Sequence, residues 1–252
     1  DLLFGLENSY KVYFGRLFTL NDDAFLAGKA RDEAALRSNP AAQQALAAAG
    51  TPDPWATISS ATQQGRDDYI PYMVVVGGPA GSQLFGYARS LVRAAAEREK
   101  PSADRLPGYS DSQLPLLQKP IPDVTPVYPA LEQQTLEFWL SKAREYLTAD
   151  DPDTKLLLGK DSPENLSKTL ADSKLGDAAV RKGLWDGGWA AVKASKDPMI
   201  QYAIRIDPEA RRLMTEYNEK VTGPITSASE ALAKARFAAY GTSVYPDATF
   251  TL

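Results

Sequence analysis

The 252-residue sequence contains no histidine and no cysteine. Without cysteine there is no disulfide, no thiol nucleophile and no thiolate metal site, and the redox compartment is left open. Without histidine, the usual general base of a serine triad and the commonest transition-metal ligand are both missing. A hydrolase contained in these residues would have to work with carboxylates, lysine or tyrosine. No apolar run reaches the ~18–20 residues that a bilayer-spanning helix needs, so no membrane partner is expected. Lys and Arg number 28 against 32 Asp and Glu, a net charge of −4 with no basic stripe. Nucleic acid is therefore not expected as a partner either. The opening Asp1-Leu2-Leu3-Phe4-Gly5 lacks the basic start and cleavage site of a signal peptide.

What is present reads as helix. Apolar content of 44% and charged content of 24% are ordinary for a globular chain with a real core. Leu3, Leu6, Tyr10, Tyr13 and Leu17 recur at helical spacing, and Asn21-Asp22-Asp23 offers a break and an N-cap. Asp53-Pro54, Asp151-Pro152, Ser162-Pro163, Asp197-Pro198 and Asp207-Pro208 each pair a short acceptor with a proline. That pairing suits an N-cap followed by the first helical position, where a missing N–H costs nothing. Alternating strand patterns are nearly absent, so the fold class expected is mainly α, an irregular multi-helix domain. The starts have no fixed period, which excludes a solenoid.

Within residues 1–240, the proline-rich stretch 101–129 is the best internal boundary. Met73-Val74-Val75-Val76 is a short apolar run that periodicity assigns equally to a buried strand or a buried helix. Pro71 is expected to kink the helix before it. Residues 241–252 read differently. Gly241 suits a helix end, Tyr245-Pro246-Asp247 a turn, and Ala248-Thr249-Phe250-Thr251-Leu252 a strand. A lone strand has unpaired backbone groups, so this ending is expected to pair with a β structure outside the chain.

Candidate chemistry is sparse. Val74 to Ser82 resembles a strand, glycine loop and helix start, but neither the Walker pattern nor G-x-G-x-x-G is met, so a structural turn is favoured over a phosphate cradle. Asp150, Asp151, Asp153 and Asp161 fail the calcium-loop pattern, with Leu156 and Ser162 where glycine and glutamate belong. Helix capping accounts for them better, and no metal or cofactor is expected. Asp22-Asp23 and Asp67-Asp68 read as capping or solvated pairs. Trp139, Trp185 and Trp189 read as core, although Gly187-Gly188 between the last two permits another backbone to approach. The residues alone thus show a helical domain with no catalytic set.

The C-terminal third carries a more specific signal. Asp197-Pro198-Met199-Ile200, Ile206-Asp207-Pro208-Glu209-Ala210-Arg211, Ala233-Lys234-Ala235-Arg236-Phe237 and Gly241 to Leu252 resemble the bacterial dipeptidyl-peptidase family that includes dipeptidyl-peptidases seven and eleven. Leu6-Glu7-Asn8-Ser9-Tyr10-Lys11 and Leu84 to Arg93 resemble earlier landmarks of that family. The resemblance implies a periplasmic or cell-surface serine exopeptidase that releases dipeptides from peptide N-termini. It implies a chymotrypsin-like double β-barrel with a large inserted helical domain capping the cleft. The family's catalytic histidine and aspartate precede this region and its serine follows it, so no catalytic residue is expected in this chain. The partners implied are oligopeptide substrates, the protein's own β-barrel and a second copy in a homodimer. Asn8, in the Asn-x-x-Lys element, matches the family's asparagine that binds the substrate amino terminus. Val12 departs from the pattern, where relatives carry a second asparagine. A plain polar helix-face role for Asn8 stays open beside this one. The competing reading of the whole chain is a free-standing helical binding or scaffold protein without enzymatic activity. A third reading, a carboxylate enzyme, needs two acids converging in one pocket.

Overall fold

Short acceptors followed by proline do start helices here. In the computed structural model, which describes residues 2–243, Asp53 Oδ1 accepts from the Trp55 and Ala56 amides at 2.9 and 3.2 Å. Asp151, Ser162 and Asp197 cap their helices in the same way. Asn39-Pro40 adds another such start, with Asn39 Oδ1 accepting from Ala41 and Ala42.

The helices run in order α1 (Leu2–Leu20), α2 (Asp23–Ser38), α3 (Pro40–Ala49), α4 (Pro54–Pro71), α5 (Gln83–Arg98), α6 (Leu114–Gln118), α7 (Pro129–Leu147), α8 (Pro152–Leu158), α9 (Pro163–Ala171), α10 (Ala178–Ala194), α11 (Pro198–Tyr217) and α12 (Gly223–Tyr240). Two π-helical turns, Tyr72–Gly77 and Asn218–Thr222, and three short 3₁₀ turns complete them. No strand occurs among the described residues, and the architecture is mainly α as the sequence predicts. The expected strand at Ala248–Leu252 and the turn before it lie outside the described residues.

The described chain divides into two compact units. One joins the residues up to Gln63 with those from Thr222 on; the other is Gln64–Val221. In the first, α12 packs along α3, and both also touch α2. The buried residues of this seam are almost all alanine: Ala42, Ala228, Ala231 and Ala235. Small side chains let helix axes approach closely, but each buried methyl contributes only about 0.8 kcal/mol.

The second unit holds the large core. The amphipathic stripe of α5 (Leu84, Ala88, Leu91, Val92, Ala95) meets α10 and α11, and α7 lies against α9. Trp139 and Trp185 are buried, as their helical spacing predicts. Trp139 Nε1 donates to the Val74 carbonyl at 3.0 Å. The apolar run Met73–Val76 is neither strand nor α-helix. It forms the π-helical turn that follows Pro71 at the end of α4, with Val74 and Val75 buried.

Asp207-Pro208 does not start a helix, and α11 runs straight through it. The apolar stripe Met199, Ile200, Ala203, Ile206, Ala210, Leu213 is buried on both sides of the proline, so packing carries the helix past the missing donor. The Asp207 carboxylate is engaged by Arg93 and Arg211 instead of capping. The stretch 101–129 lies within the second unit and is tied into it. Ile121 is buried, and Arg181 donates to the carbonyls of Ile121, Asp123 and Leu175.

Candidate functional site

Asn8 sits on α1, which forms from a sequence rich in strong and neutral helix formers. Its side chain is exposed and makes no hydrogen bond among the described residues. Helical spacing puts Phe4 and Val12 one turn to either side of it, with Gly5 and Lys11 alongside. Phe4 is 68% exposed and Val12 50%. A carboxamide in this setting offers one acceptor oxygen and two donors, which suits an ammonium and an adjacent peptide group. The rest of α1 carries a broad apolar face, with Ser9, Arg16 and Thr19 on the side that Asn8 shares. Leu3, Leu6, Tyr10, Tyr13, Phe14, Leu17 and Phe18 are all more than half exposed. An apolar face of that width is ordinarily covered.

The other sequence candidates fall into structural roles. Gly78 adopts φ 71°, ψ −169°, and a Cβ there would lie 2.5 Å from the Phe85 ring. The glycine loop is therefore a tight turn packed on an aromatic ring. Asp22 caps α2 through the Ala24 and Phe25 amides. Asp151 caps α8, while Asp150 lies 3.6 Å from Lys155 at the surface. Among the described residues no group of three or more acidic side chains converges as a metal site would require. Gly188 breaks α10 with φ 60°, ψ −151°, and Arg98 reaches in to the Trp185 carbonyl at 2.6 Å while lying over the Trp185 ring.

Two acids do meet. Asp153 of α8 lies against Glu209 of α11, and burial, Glu209 and Asp151 push its carboxyl up to about 6. Glu209, by contrast, is held below its ordinary value, chiefly by Arg212. The pair therefore joins two helices within the second unit, with one member already bound to an arginine on its own helix.

Local patterns gave no sign of the polar network between α5 and α11. Arg93 Nε donates to Asp207 Oδ1 at 2.6 Å, and Arg211 bridges Asp207 and Glu97. Glu97 is fully buried and also accepts from the Leu106 amide and Lys100. Burial pushes its carboxyl up, but the Leu106 amide, Arg211 and Lys100 outweigh that and hold it below the ordinary range. These partners lie as far as 114 positions apart, so spacing along the chain carries no trace of them.

The family model for peptidase S46 matches residues 1–252. The chain belongs to the peptidase S46 family. The whole described region is thus peptidase sequence, which agrees with the dipeptidyl-peptidase resemblance at the level of the family. No helix in the described residues is long and apolar enough to cross a membrane.

Proposed function

We propose that this chain is the helical, substrate-gating domain of a serine dipeptidyl-peptidase, and that Asn8 binds the free amino terminus of the substrate. The observation that carries the reading is the match of the peptidase S46 family over residues 1–252 in a chain with no histidine. A histidine-dependent triad must then come from residues outside it. The exposed carboxamide of Asn8, with no competing hydrogen bond among the described residues, is free to take an ammonium. The exposed apolar face of α1 supports a second body against that helix, and the proposed cover is the protein's own β-barrel. A helical lid over an exopeptidase cleft excludes longer N-terminal extensions by steric clash, which is how such a site selects for chain ends. Periplasmic or cell-surface location belongs to the same proposal.

The test is Asn8→Ala in the full-length peptidase. The Michaelis constant for dipeptidyl substrates with a free amine is expected to rise roughly tenfold, the loss of one hydrogen bond to a charged group. An unchanged value removes Asn8 from the site. The 252-residue chain alone is expected to show no turnover of such substrates, and measurable activity would overturn the assignment of the triad to other residues.

A further inference from the structure

Two arginines clamp the walls of a groove between α6 and α10. Pro115 and Lys119 stand one turn apart at α6, and Lys182 and Trp185 one turn apart on α10, so each pair shares a helix face. With Ile121 and Pro122 from the turn after α6, these side chains line an open cavity of ≈ 340 Å³. That volume lies at the lower end of the range for small-molecule sites. The floor is apolar, with Ile121 and Trp185 only 2% and 6% exposed. Arg181 holds one wall through the carbonyls of Ile121 and Asp123. Arg98 holds the other, lying over the Trp185 ring and donating to the Trp185 carbonyl. A cavity fixed before its ligand arrives saves the cost of ordering it on binding.

The charge around this groove has one sign. Lys119 and Lys182 line it and no acid does. Lys119 makes no ion pair among the described residues. Lys182 pairs with Asp186, one turn further along α10 and outside the lining. The Asp123 carboxylate is engaged by Thr125. Arg98 and Arg181, beside the floor, spend their donors on carbonyls and have no carboxylate partner among the described residues. An inorganic anion would meet the lysines and leave the apolar floor wet. A neutral apolar group would cover the floor and leave the lysines unanswered. A peptide amino terminus would set another cation against them. A carboxylate carried next to an apolar side chain answers both floor and rim. In a peptidase, the group with that chemistry is the carboxyl end of a peptide. We infer that the α6–α10 groove is an exosite for the C-terminal residue of a peptide, its side chain on Ile121 and Trp185 and its carboxylate at Lys119 and Lys182. It takes the opposite end of a peptide from the one assigned to Asn8, and it stands without that assignment.

The experiment is a ¹⁵N NMR titration of the chain with N-acetyl-Ala-Phe, whose acetyl group blocks the amine that Asn8 is proposed to take. Saturable shifts are expected at the Trp185 indole and at the amides of Lys119 and Ile121, with a Kd of about 1 mM or tighter. The C-terminal amide of the same peptide is expected to bind at least about fivefold more weakly, and Lys119→Glu to weaken binding of the acid about tenfold. 3-Phenylpropionate, an apolar acid with no peptide bond, is expected to bind about threefold more weakly than the peptide. Asn8→Ala is expected to change none of these values. Absence of shifts at those positions up to about 10 mM, or equal affinity for acid and amide, would overturn the proposal. Equal affinity for phenylpropionate would overturn the assignment to a peptide end. Binding lost in Asn8→Ala would move the ligand to the other site and overturn it as well. If Lys119→Glu does not fold, the comparison of acid with amide on the parent chain still decides.

Discussion

Glu132 of α7 accepts the Ser82 hydroxyl at 2.6 Å, fifty positions away in the chain. The same carboxylate accepts the Gln83 amide at 2.8 Å, and Ser82 Oγ in turn accepts the Phe85 amide. The N-terminus of α5 is therefore capped twice, once by its own serine and once by a buried glutamate from another helix. A carboxylate there also suits the positive end of the helix dipole.

Replacing that carboxylate separates the two caps. Glu132→Gln keeps the shape but turns an acceptor into a donor facing backbone N–H groups. It is expected to cost about 1–3 kcal/mol, the penalty of leaving a buried donor unmet. Ser82→Ala removes the local cap and the hydroxyl that Glu132 accepts, but leaves the carboxylate on the Gln83 amide, and should cost about 1 kcal/mol. Urea unfolding of both variants checks the order. Equal costs would mean that the remote glutamate adds nothing to the serine.

The glycine loop before α5 permits a cleaner comparison. Gly78 and Gly81 both have positive φ, 71° and 88°. A Cβ at Gly78 would strike the Phe85 ring, whereas one at Gly81 would meet nothing within 4 Å. Gly81→Ala should cost about 1–2 kcal/mol of backbone strain alone. Gly78→Ala carries steric overlap on top of a conformation that is nearly glycine-only, and should cost at least twice as much. Thermal melts of the pair measure the difference, and similar losses would show that Phe85 yields without cost.

The helices were legible in the sequence because their signals are local. A short acceptor before proline, an apolar residue every third or fourth position and a glycine at a helix end each act within about two turns. Asp207-Pro208 misled because the same dipeptide occurs inside α11, where the burial of residues on both sides decides and no local rule applies. The π-helical turn at Tyr72–Gly77 was ambiguous for a related reason, since a wholly apolar run has no period. Asn8 was reached through family resemblance, because an exposed asparagine on a helix has no signature of its own. The Arg93–Asp207–Arg211–Glu97 cluster and the Ser82–Glu132 cap were invisible, since each joins residues from separate helices.

Arg181 provides a test of the proline-rich connector. It is fully buried and stacked 4.2 Å from the Tyr87 ring centroid. Its donors go to the carbonyls of Ile121 (3.0 Å), Leu175 (2.6 Å) and Asp123, so its partners are backbone rather than a carboxylate. A planar fork can serve three carbonyls at once, and a lysine ammonium on a flexible stem cannot. Arg181→Lys is therefore expected to cost about 2–4 kcal/mol despite keeping the charge. Hydrogen exchange at residues 119–125 should accelerate in the variant. Full protection there would mean that the connector is held by Ile121 packing alone.

Asp153 makes a prediction about acid. Its carboxyl is raised from 3.8 to about 6, by burial first and then by Glu209 and Asp151. A group that holds its proton more tightly folded than unfolded contributes stability that is complete below the unfolded value and lost as pH rises through the folded one. The α8–α11 seam should therefore gain stability as pH falls from about 7 to about 4. Glu97 acts in the opposite sense, because its lowered carboxyl loses its contribution as pH falls below the ordinary carboxylate range. The two separate by window: the Asp153 gain lies between about pH 4 and 6, and the Glu97 loss lies below it. Asp153→Asn removes the titration while keeping a donor toward Glu209. The variant should melt higher than the parent at pH 7, and the two curves should converge towards pH 4. Parallel curves across that window would show that Asp153 does not titrate against Glu209, and that the seam is held by Leu157 and its apolar neighbours.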